Sequence, residues 1–424
     1  MGIIIIDEEH DTSYQSDMPP KFNAKDIAKY MAKINDIPLV LGSATPDINT
    51  YYKAKNKQIE LIKLTKRANN SNLPEIEIVD LRQELANGNR SILSTSLHDA
   101  IEQNLKEKRQ TILFLNRRGF STFIICRNCG YTAKCKNCNI NLTYHSNKNK
   151  LKCHYCGYEM PILKTCPECG SEQIRYFGTG TQKLEMEINK IFPNASTIRM
   201  DIDTVSKKNS HEKILDEFKN KNIDILIGTQ MVVKGHHFPN VTLVGVIAAD
   251  GSLNIDDFRA NERTFQTLTQ VAGRAGRDKD KGRVIIQTYN PDNFAIECSK
   301  KQNYKLFYQT EIGMRKQLKY PPFCDIILIG ITSSNEKELK KVANVLHHYL
   351  KDRLIKENIG IILYPPVSAP IDKIKNKHRW RIIIKCKFNN EIINLINDML
   401  DEYYKMKVQD TRVIVDLNPN DMSH

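Results

Sequence analysis

The chain has 424 residues, 40% of them hydrophobic and 26% charged, which suits two to four globular domains and excludes wholesale disorder. Basic residues outnumber acidic ones by 63 to 49, a formal charge of +14, and such an excess favours a polyanion such as nucleic acid as partner, although a lysine-rich composition alone supplies part of it. The first apolar run, Ile3 to Ile6, stops at Asp7, far short of the ~20 residues of a membrane span or the ~7 to 15 of a signal-peptide core. The expectation is an unexported, cytoplasmic protein with no membrane partner, whose 11 cysteines are metal ligands or buried thiols and not disulfides.

In chain order, Ile3 to Ile6 reads as a buried strand running into Asp7-Glu8-Glu9-His10. A nucleotide-hydrolysing sheet places its magnesium-binding Asp and water-polarising Glu at such a strand end, though strands ending in acids are also common without function. A helix from Ala24 to Ile34 and a strand from Pro38 to Leu41 follow, and Gly42-Ser43-Ala44-Thr45-Pro46 is a turn after that strand. Thr65 to Gly88, with Asn69, Asn70, Ser71, Asn72 and Pro74, reads as a connection. Beyond it, β-rich runs (Thr111 to Leu115, Ser196 to Met200, Ile223 to Gly228, Val241 to Ile247, Val284 to Thr288) alternate with helical stretches (Lys183 to Ile191, His211 to Phe218). That alternation predicts an α/β domain with a parallel sheet covered by helices.

Four Cys-x-x-Cys pairs interrupt the rhythm: Cys126/Cys129, Cys135/Cys138, Cys153/Cys156 and Cys166/Cys169. Each pair can grip one tetrahedral ion, so four pairs make two closed four-cysteine zinc sites of the structural kind. The spacing leaves nested and sequential pairing both open. So few large apolar residues lie among them that packing could supply only ~3 to 5 kcal/mol, against ~10 to 16 kcal/mol per structural zinc. Eight thiolates and two divalent ions sum to −4, which lowers the chain from +14 to +10 and the module from +5 to about +1. The insertion is accordingly a wedge or docking surface and not the main phosphate-binding patch.

Gln270-Val271-Ala272-Gly273-Arg274-Ala275-Gly276-Arg277 sets two arginines three residues apart among small neighbours, a pattern able to bring guanidinium groups to a phosphate. A solvated helix end would explain the charges and leave the glycines unexplained. Near the C-terminus Lys373, Lys375, Lys377, Arg379 and Arg381 recur at period two beside Trp380, the only Trp. In an extended chain these cations share one face, which suits tracking a nucleic-acid backbone with an aromatic to stack a base, or equally a charged edge strand that discourages aggregation.

The order of these motifs resembles the primosomal protein N′ (PriA) family of replication-restart helicases, superfamily-two DNA helicases with a zinc-binding insertion. Asp7 to His10 is similar to helicase motif II, Gly42 to Pro46 to motif III, Phe114-Leu115-Asn116-Arg117-Arg118-Gly119 to motif IV, the stretch Gly228-Thr229-Gln230 through Gly235 to Phe238 to motif V, and Gln270 to Arg277 to motif VI. The resemblance implies an ATP-dependent 3′ to 5′ helicase that recognises stalled forks and helps reload the replicative helicase. It implies a RecA-like lobe with an inserted double zinc module and an α+β C-terminal domain. The implied boundaries are 1–66 for the end of the first lobe, 67–125 and 171–295 for the second, 126–170 for the zinc module and 296–424 for the C-terminal DNA-binding domain. Its cofactors would be two Zn2+ and ATP with Mg2+. Asp7 would bind magnesium and Glu8 activate water, Arg274 and Arg277 would contact the γ-phosphate, and Gly228, Thr229, Gln230, Gly235 and Gln270 would line the nucleotide. The implied zinc pairing is nested, with Cys126, Cys129, Cys166 and Cys169 on one ion and Cys135, Cys138, Cys153 and Cys156 on the other. Tyr14, Lys21 and Phe22 stand where the family carries a DNA-sensing loop, with Asn23 where a His is common. Tyr320-Pro321-Pro322-Phe323 and the segment from Ile371 to Arg381 match the family's C-terminal domain. Partners implied are forked and single-stranded DNA, single-stranded DNA-binding protein and other primosome proteins, in a cytoplasmic, nucleoid-associated setting.

A motor of this class also needs a Gly-Lys-Ser/Thr loop to cradle the phosphates, and none of the 19 glycines precedes a Lys. The family's N-terminal DNA-binding domains and the earlier strands of the first lobe likewise have no counterpart here. The alternative expectation is a non-catalytic, zinc-containing DNA-binding or primosome scaffold.

Overall fold

The computed structural model describes residues 2–16, 21–64, 74–115, 123–145, 149–177, 180–201, 210–220, 223–229, 238–275, 282–357 and 359–422. Strand β1 (Ile4–Ile6) and strand β2 (Leu39–Leu41) pair in parallel, Ile4 with Leu39 and Ile6 with Leu41, around the crossover helix α1 (Ala24–Asn35). Asn23 caps α1 by accepting from the Lys25 amide, and Asp36 ends it in the left-handed region. Within α1 only Ala28 and Ala32 are buried, so Ile27, Tyr30 and Ile34, together with Ile3, Ile5 and Val40 of the strand pair and its approach, leave an exposed apolar face. Helix α2 (Ile48–Lys55), capped by Asp47, instead buries Ile48 and Tyr51 in the core of the large sheet that follows.

That sheet has six parallel strands. Strand β3 (Glu75–Asp80) comes first in sequence and leads into α3 (Leu81–Ala86). Both lie within the stretch read as a connection, which corrects that expectation. Glu75-Ile76-Glu77-Ile78 alternates as an edge strand should, and Ile76 and Val79 are buried, but the turn-forming residues just before it masked the pattern. Helix α4 (Thr95–Lys106) then packs beside β4 (Gln110–Phe114), all five residues of which are buried.

The zinc module enters on β5 (Phe123–Cys126), makes the meander β6 (Thr143–His145), β7 (Lys150–Lys152) and β8 (Glu159–Pro161), and leaves on β9 (Ile174–Phe177), which pairs antiparallel with β5. The lobe resumes with α5 (Thr181–Ile191), β10 (Thr197–Met200), α6 (Ser210–Asn220), β11 (Ile225–Gly228), β12 (Val241–Val246), α7 (Asp250–Leu253), α8 (Ala260–Ala272) and β13 (Arg283–Thr288). The strand order β10-β11-β4-β12-β13-β3 places β4 and β12 at the centre, with apolar clusters on both faces. At Gly245 on β12 a Cβ would meet Leu97 Cδ1 of α4 at 2.8 Å and Leu113 Cδ2 at 2.9 Å, so a larger residue there needs both side chains to move.

Helices α9 (Phe294–Lys300) and α10 (Tyr304–Gln317) lead to an α+β C-terminal region of β14 (Asp325–Ser333), α11 (Glu336–Glu357), β15 (Ile362–Leu363), β16 (Val367–Ile374), β17 (Lys377–Cys386), α12 (Asn390–Lys405) and β18 (Arg412–Leu417). Its antiparallel sheet runs β15-β17-β14-β18, with β16 also on β17. Ile382 and Ile384 pack on one side with α11 and α12, whereas Ile383, one residue out of phase, joins a cluster with the zinc module's Ile140, Leu151 and Tyr155. The module thus shares an apolar core with the C-terminal region and is not held by metal alone.

Candidate functional site

The eight cysteine sulfurs form two nested sets, Cys126/Cys129/Cys166/Cys169 and Cys135/Cys138/Cys153/Cys156, each with all ligand atoms within 4.8 Å of one another. Neighbouring sulfurs are 3.7 Å apart for Cys126 and Cys169, and 3.5 Å for both Cys129–Cys166 and Cys135–Cys156. A zinc tetrahedron with Zn–S bonds of ~2.3 Å has edges of ~3.8 Å, so both all-thiolate sets fit structural zinc. The same local turn builds all four knuckles. After each second cysteine the chain enters the left-handed region, at Gly130 (φ 81°), Asn139 (φ 54°), Gly157 (φ 76°) and Gly170 (φ 68°), and that residue's amide returns to the first cysteine's carbonyl. Asn128 and Asn137 direct side-chain amides at Cys169 and Cys156 Sγ, both at 3.6 Å. The repeated Cys-Gly pairs were the signal in the sequence for this turn.

At the end of β1 the four residues of the acidic motif divide by burial. Glu9 is enclosed and accepts from Lys25 Nζ (2.9 Å), the Asp47 amide (2.7 Å) and the Thr50 hydroxyl (3.0 Å), which fastens the strand end to α1 and α2. Asp7 and Glu8 stay exposed, Glu8 with φ of 46°. A Cβ on Gly42 would approach Asp7 Oδ1 to 3.4 Å, so the turn after β2 passes close beside that carboxylate. His10 Nδ1 lies 2.7 Å from Ser43 Oγ and its Nε2 2.9 Å from Gln270 Nε2. Burial pushes the imidazole below its ordinary range, against the pull of Glu8, Glu9, Asp11 and Asp47. The neutral ring therefore accepts from the Gln270 amide and donates through Nδ1 to Ser43.

His10 thus joins, through two contacts, the segments similar to motifs II, III and VI. A second tie lies behind it: Glu262 of α8 accepts from the Ile48 amide at 2.8 Å and from Arg315 Nη2 at 2.6 Å, and the Tyr304 hydroxyl donates to the Pro46 carbonyl at 2.8 Å. Burial opposes ionisation of Asp47, yet Lys25, Arg315 and the amides of Asn49 and Thr50 hold its carboxyl below the usual range. Glu9, Lys25, Glu262 and Arg315 do this positioning work, and periodicity carried no signal for a contact between residues so far apart in sequence.

Of the residues expected to line nucleotide, Gly228 ends β11, Thr229 follows it, and Gln270 lies on α8 with Arg274 one turn beyond. Gln230, Gly235, Arg277 and 116–119 of the motif IV stretch lie outside the described residues. In the candidate DNA-sensing stretch, the Tyr14 hydroxyl donates to the Asp7 carbonyl at 2.8 Å and Lys21 pairs with Asp416, while Phe22 remains 49% exposed.

The basic strip is not one face, which corrects the expectation drawn from its period of two. Lys375 and Asn376 adopt φ of 47° and 61°, the two-residue turn of a hairpin, so Lys373 belongs to β16 and Lys377 begins β17. Lys373 and Lys375 are exposed, Lys377 lies 3.9 Å from Asp410, and Arg379 donates to the Ile371 carbonyl at 3.3 Å. Arg381 is fully buried, its Nε and Nη2 donating to the His154 carbonyl at 2.9 and 2.8 Å. Trp380 packs with α11, where Lys340 Nζ stands 5.8 Å from its ring centroid.

Three family descriptions match in chain order: the PriA DNA helicase Cys-rich region domain over 135–161, the Helicase conserved C-terminal domain over 165–279, and the Primosomal protein N C-terminal domain over 316–420. The Replication restart protein PriA of Bacillus subtilis (strain 168) is 45% identical over 423 residues, covering 99% of this chain and 52% of that protein. Its counterparts in Synechocystis sp. and Borreliella burgdorferi are 41% and 38% identical over 91% and 94% of the chain, and 47% and 59% of those proteins. The chain therefore spans about half the length of the curated relatives it matches. With these descriptions in order over a fold that nests two cysteine centres beside a helicase lobe, the chain belongs to the PriA family and corresponds to its C-terminal part.

Proposed function

We propose that the chain is the part of a replication-restart DNA helicase that carries the second motor lobe, the zinc module and a C-terminal DNA-binding region, divided at 1–66, 67–125 with 171–295, 126–170 and 296–424. The observation that carries this reading is the His10–Gln270 contact at 2.9 Å, which sets the acidic strand end against the helix leading to Arg274. Asp7 and Glu8 are the two carboxylates left exposed where Glu9 and His10 are tied down, so they are available to hold magnesium and to orient water. Bound ATP with Mg2+ would supply the phosphoryl group whose charge Arg274 and Arg277 would meet from the second lobe. Gly228 and Thr229, at the end of β11, would contact nucleotide, and by the resemblance so would Gln230 and Gly235.

The chain contains no Gly-Lys-Ser/Thr loop, so the phosphates must be cradled by a segment beyond these 424 residues. The exposed apolar face of Ile3, Ile5, Val40 and α1 suits the remainder of the first lobe. Partners in this reading are forked and single-stranded DNA, with single-stranded DNA-binding protein and other primosome proteins. No helix among the described residues is long and apolar enough to cross a membrane. The test is reconstitution: combined with a PriA segment bearing the phosphate loop, the chain should hydrolyse ATP on addition of DNA and lose that activity in Glu8→Gln. DNA binding without hydrolysis in the reconstituted protein would replace this reading with a non-catalytic scaffold.

A further inference from the structure

The residues that follow β18, Asn418-Pro419-Asn420, form a strap that touches both halves of the proposed hydrolytic site. It is anchored on the C-terminal sheet. The Asn418 amide donates to the Ile326 carbonyl of β14 at 2.7 Å, its Oδ1 accepts from the Ile326 amide at 2.9 Å, and its Nδ2 donates to Asp325 Oδ1 at 2.9 Å. Pro419 is buried and its ring fixes φ, which leaves the strap little freedom to swing.

On the first-lobe side, Asn420 Nδ2 donates to the Thr12 carbonyl and Gln15 Nε2 to the Asn418 carbonyl, both at 3.2 Å, and Lys21 pairs with Asp416. Thr12–Tyr14 is a single 3-10 turn bound to the acidic strand end. The Asp11 amide donates to the Glu8 carbonyl at 2.7 Å and the Tyr14 hydroxyl to the Asp7 carbonyl at 2.8 Å, so a shift of this turn carries Asp7 and Glu8 with it.

On the second-lobe side, Arg259 Nη1 donates to the Pro419 carbonyl at 2.9 Å and Arg263 Nη2 to the Asn420 carbonyl. Both guanidinium groups are fixed from behind by buried Asp257, which takes two bonds from Arg259 at 2.9 Å and lies 3.4 Å from Arg263 Nη1. Burial opposes ionisation of Asp257, yet the two arginines hold its carboxyl well below the usual range. Arg263 and Gln270 are seven residues apart on α8 and share a face, ~10 Å along its axis. His10 ties that face at Gln270 and Asn420 ties it at Arg263.

One residue therefore bonds the first lobe through its side chain and the second through its carbonyl. We infer that Asn420 is a positioning residue for ATP hydrolysis, by which the C-terminal region holds Asp7 and Glu8 in place relative to Arg274. Phosphoryl transfer tolerates little error in that placement, since a shift of about 1 Å can cost about 10²-fold in rate. The inference rests on the proposed hydrolysis and adds the C-terminal strap to the parts that build its site.

Asn420→Ala removes the bond to Thr12 and keeps the carbonyl that Arg263 uses. In the zinc-loaded chain by itself, hydrogen exchange of the amides of 8–16 should quicken about tenfold in this variant, with β14 and β17 exchanging as in the parent. In the chain reconstituted with a PriA segment bearing the phosphate loop, kcat for DNA-stimulated ATP hydrolysis should fall about tenfold, while KM for ATP and the Kd for single-stranded DNA stay within about twofold. Gln15→Ala breaks the neighbouring bond from the first-lobe side and should move both readouts the same way, which keeps the test open should Asn420→Ala also disturb β14. Unaltered exchange in both variants, or quickened exchange with full kcat, overturns the positioning role and leaves the motor reading intact. No hydrolysis by the unaltered reconstituted protein overturns the motor reading itself, and this inference with it.

Discussion

Arg381 is enclosed between the zinc module and the second lobe, two of its nitrogens on the His154 carbonyl and Asp256 3.8 Å away. Replacing it by Met leaves the His154 carbonyl without these donors and Asp256 without its cation, and equilibrium unfolding in urea at pH 8, where Asp256 is ionised, should show a loss of about 3 to 5 kcal/mol. Asp256→Asn in the same chain should restore part of that loss, since the stranded charge is then gone. The carboxyl of Asp256 also makes stability depend on pH. Burial raises it to about 7 in spite of Arg381, with Asp257, Cys135 and Asp421 adding to the push. Its unfolded value is about 4. The folded state therefore keeps a proton that the unfolded chain releases, and stability falls as pH rises from about 4 to about 7. Compared by urea unfolding, Asp256→Asn should be near neutral at pH 4.5 and stabilising by about 2 kcal/mol or more at pH 8. A variant equally neutral at both would show that Asp256 keeps an ordinary carboxylate pKa.

At the scale of elements, the two zinc knuckle sets differ in what stands beside them. Cys135, Cys138 and Cys153 lie in the apolar cluster that also contains Tyr320, Ile326 and Ile383 of the C-terminal region, whereas Cys169 is exposed. Metal analysis should find two zinc ions per chain and one in either Cys153→Ser or Cys169→Ser. The Cys153→Ser melt should fall further by at least ~2 to 4 °C, because its ion braces a shared core. The β16–β17 hairpin carries a separate expectation. Only Lys373, Lys375 and Lys377 of the strip are placed to track a DNA backbone, so changing all three to Gln should lower the log–log salt slope of single-strand binding by about 2, at roughly 0.7 per contact. An unaltered slope would leave the hairpin a charged sheet edge. Trp380→Ala should lower the melting temperature without altering that slope, since its ring packs with α11.

For the whole molecule, phosphoryl transfer is mostly positioning and electrostatic stabilisation, and the residues placed here supply only one side of it. The 424-residue chain by itself should bind DNA without hydrolysing ATP. In the reconstituted protein Arg277→Ala should cost about three orders of magnitude in turnover, the size expected for an arginine finger, with nucleotide binding largely kept. Steady hydrolysis by the chain alone, abolished by Glu8→Gln, would show that the loop is dispensable. The buried network from Glu9 through Lys25 and Asp47 to Glu262 and Arg315 gives this arrangement its rigidity, since each carboxylate along it is answered by a cation or an amide.

By itself the sequence determined what depends on neighbours along the chain. Eight cysteines at fixed spacing announced two metal sites, and the alternation of apolar runs announced a parallel sheet, because knuckles and strands are built from residues a few positions apart. Local pattern misled where a long-range partner decided the outcome. Glu75–Asp80 became a sheet edge only because β13 runs beside it, and the evenly spaced cations were split by a turn at Lys375-Asn376. Arg381 became a buried brace only because His154, 227 residues away, brings its carbonyl to that strand. Tertiary structure alone also decided that His10 meets Gln270 across 260 residues and that the zinc module shares its core with the C-terminal sheet. Burial and hydrogen-bond satisfaction are set by which surfaces the closed fold brings together, and that information is not local to any stretch of chain.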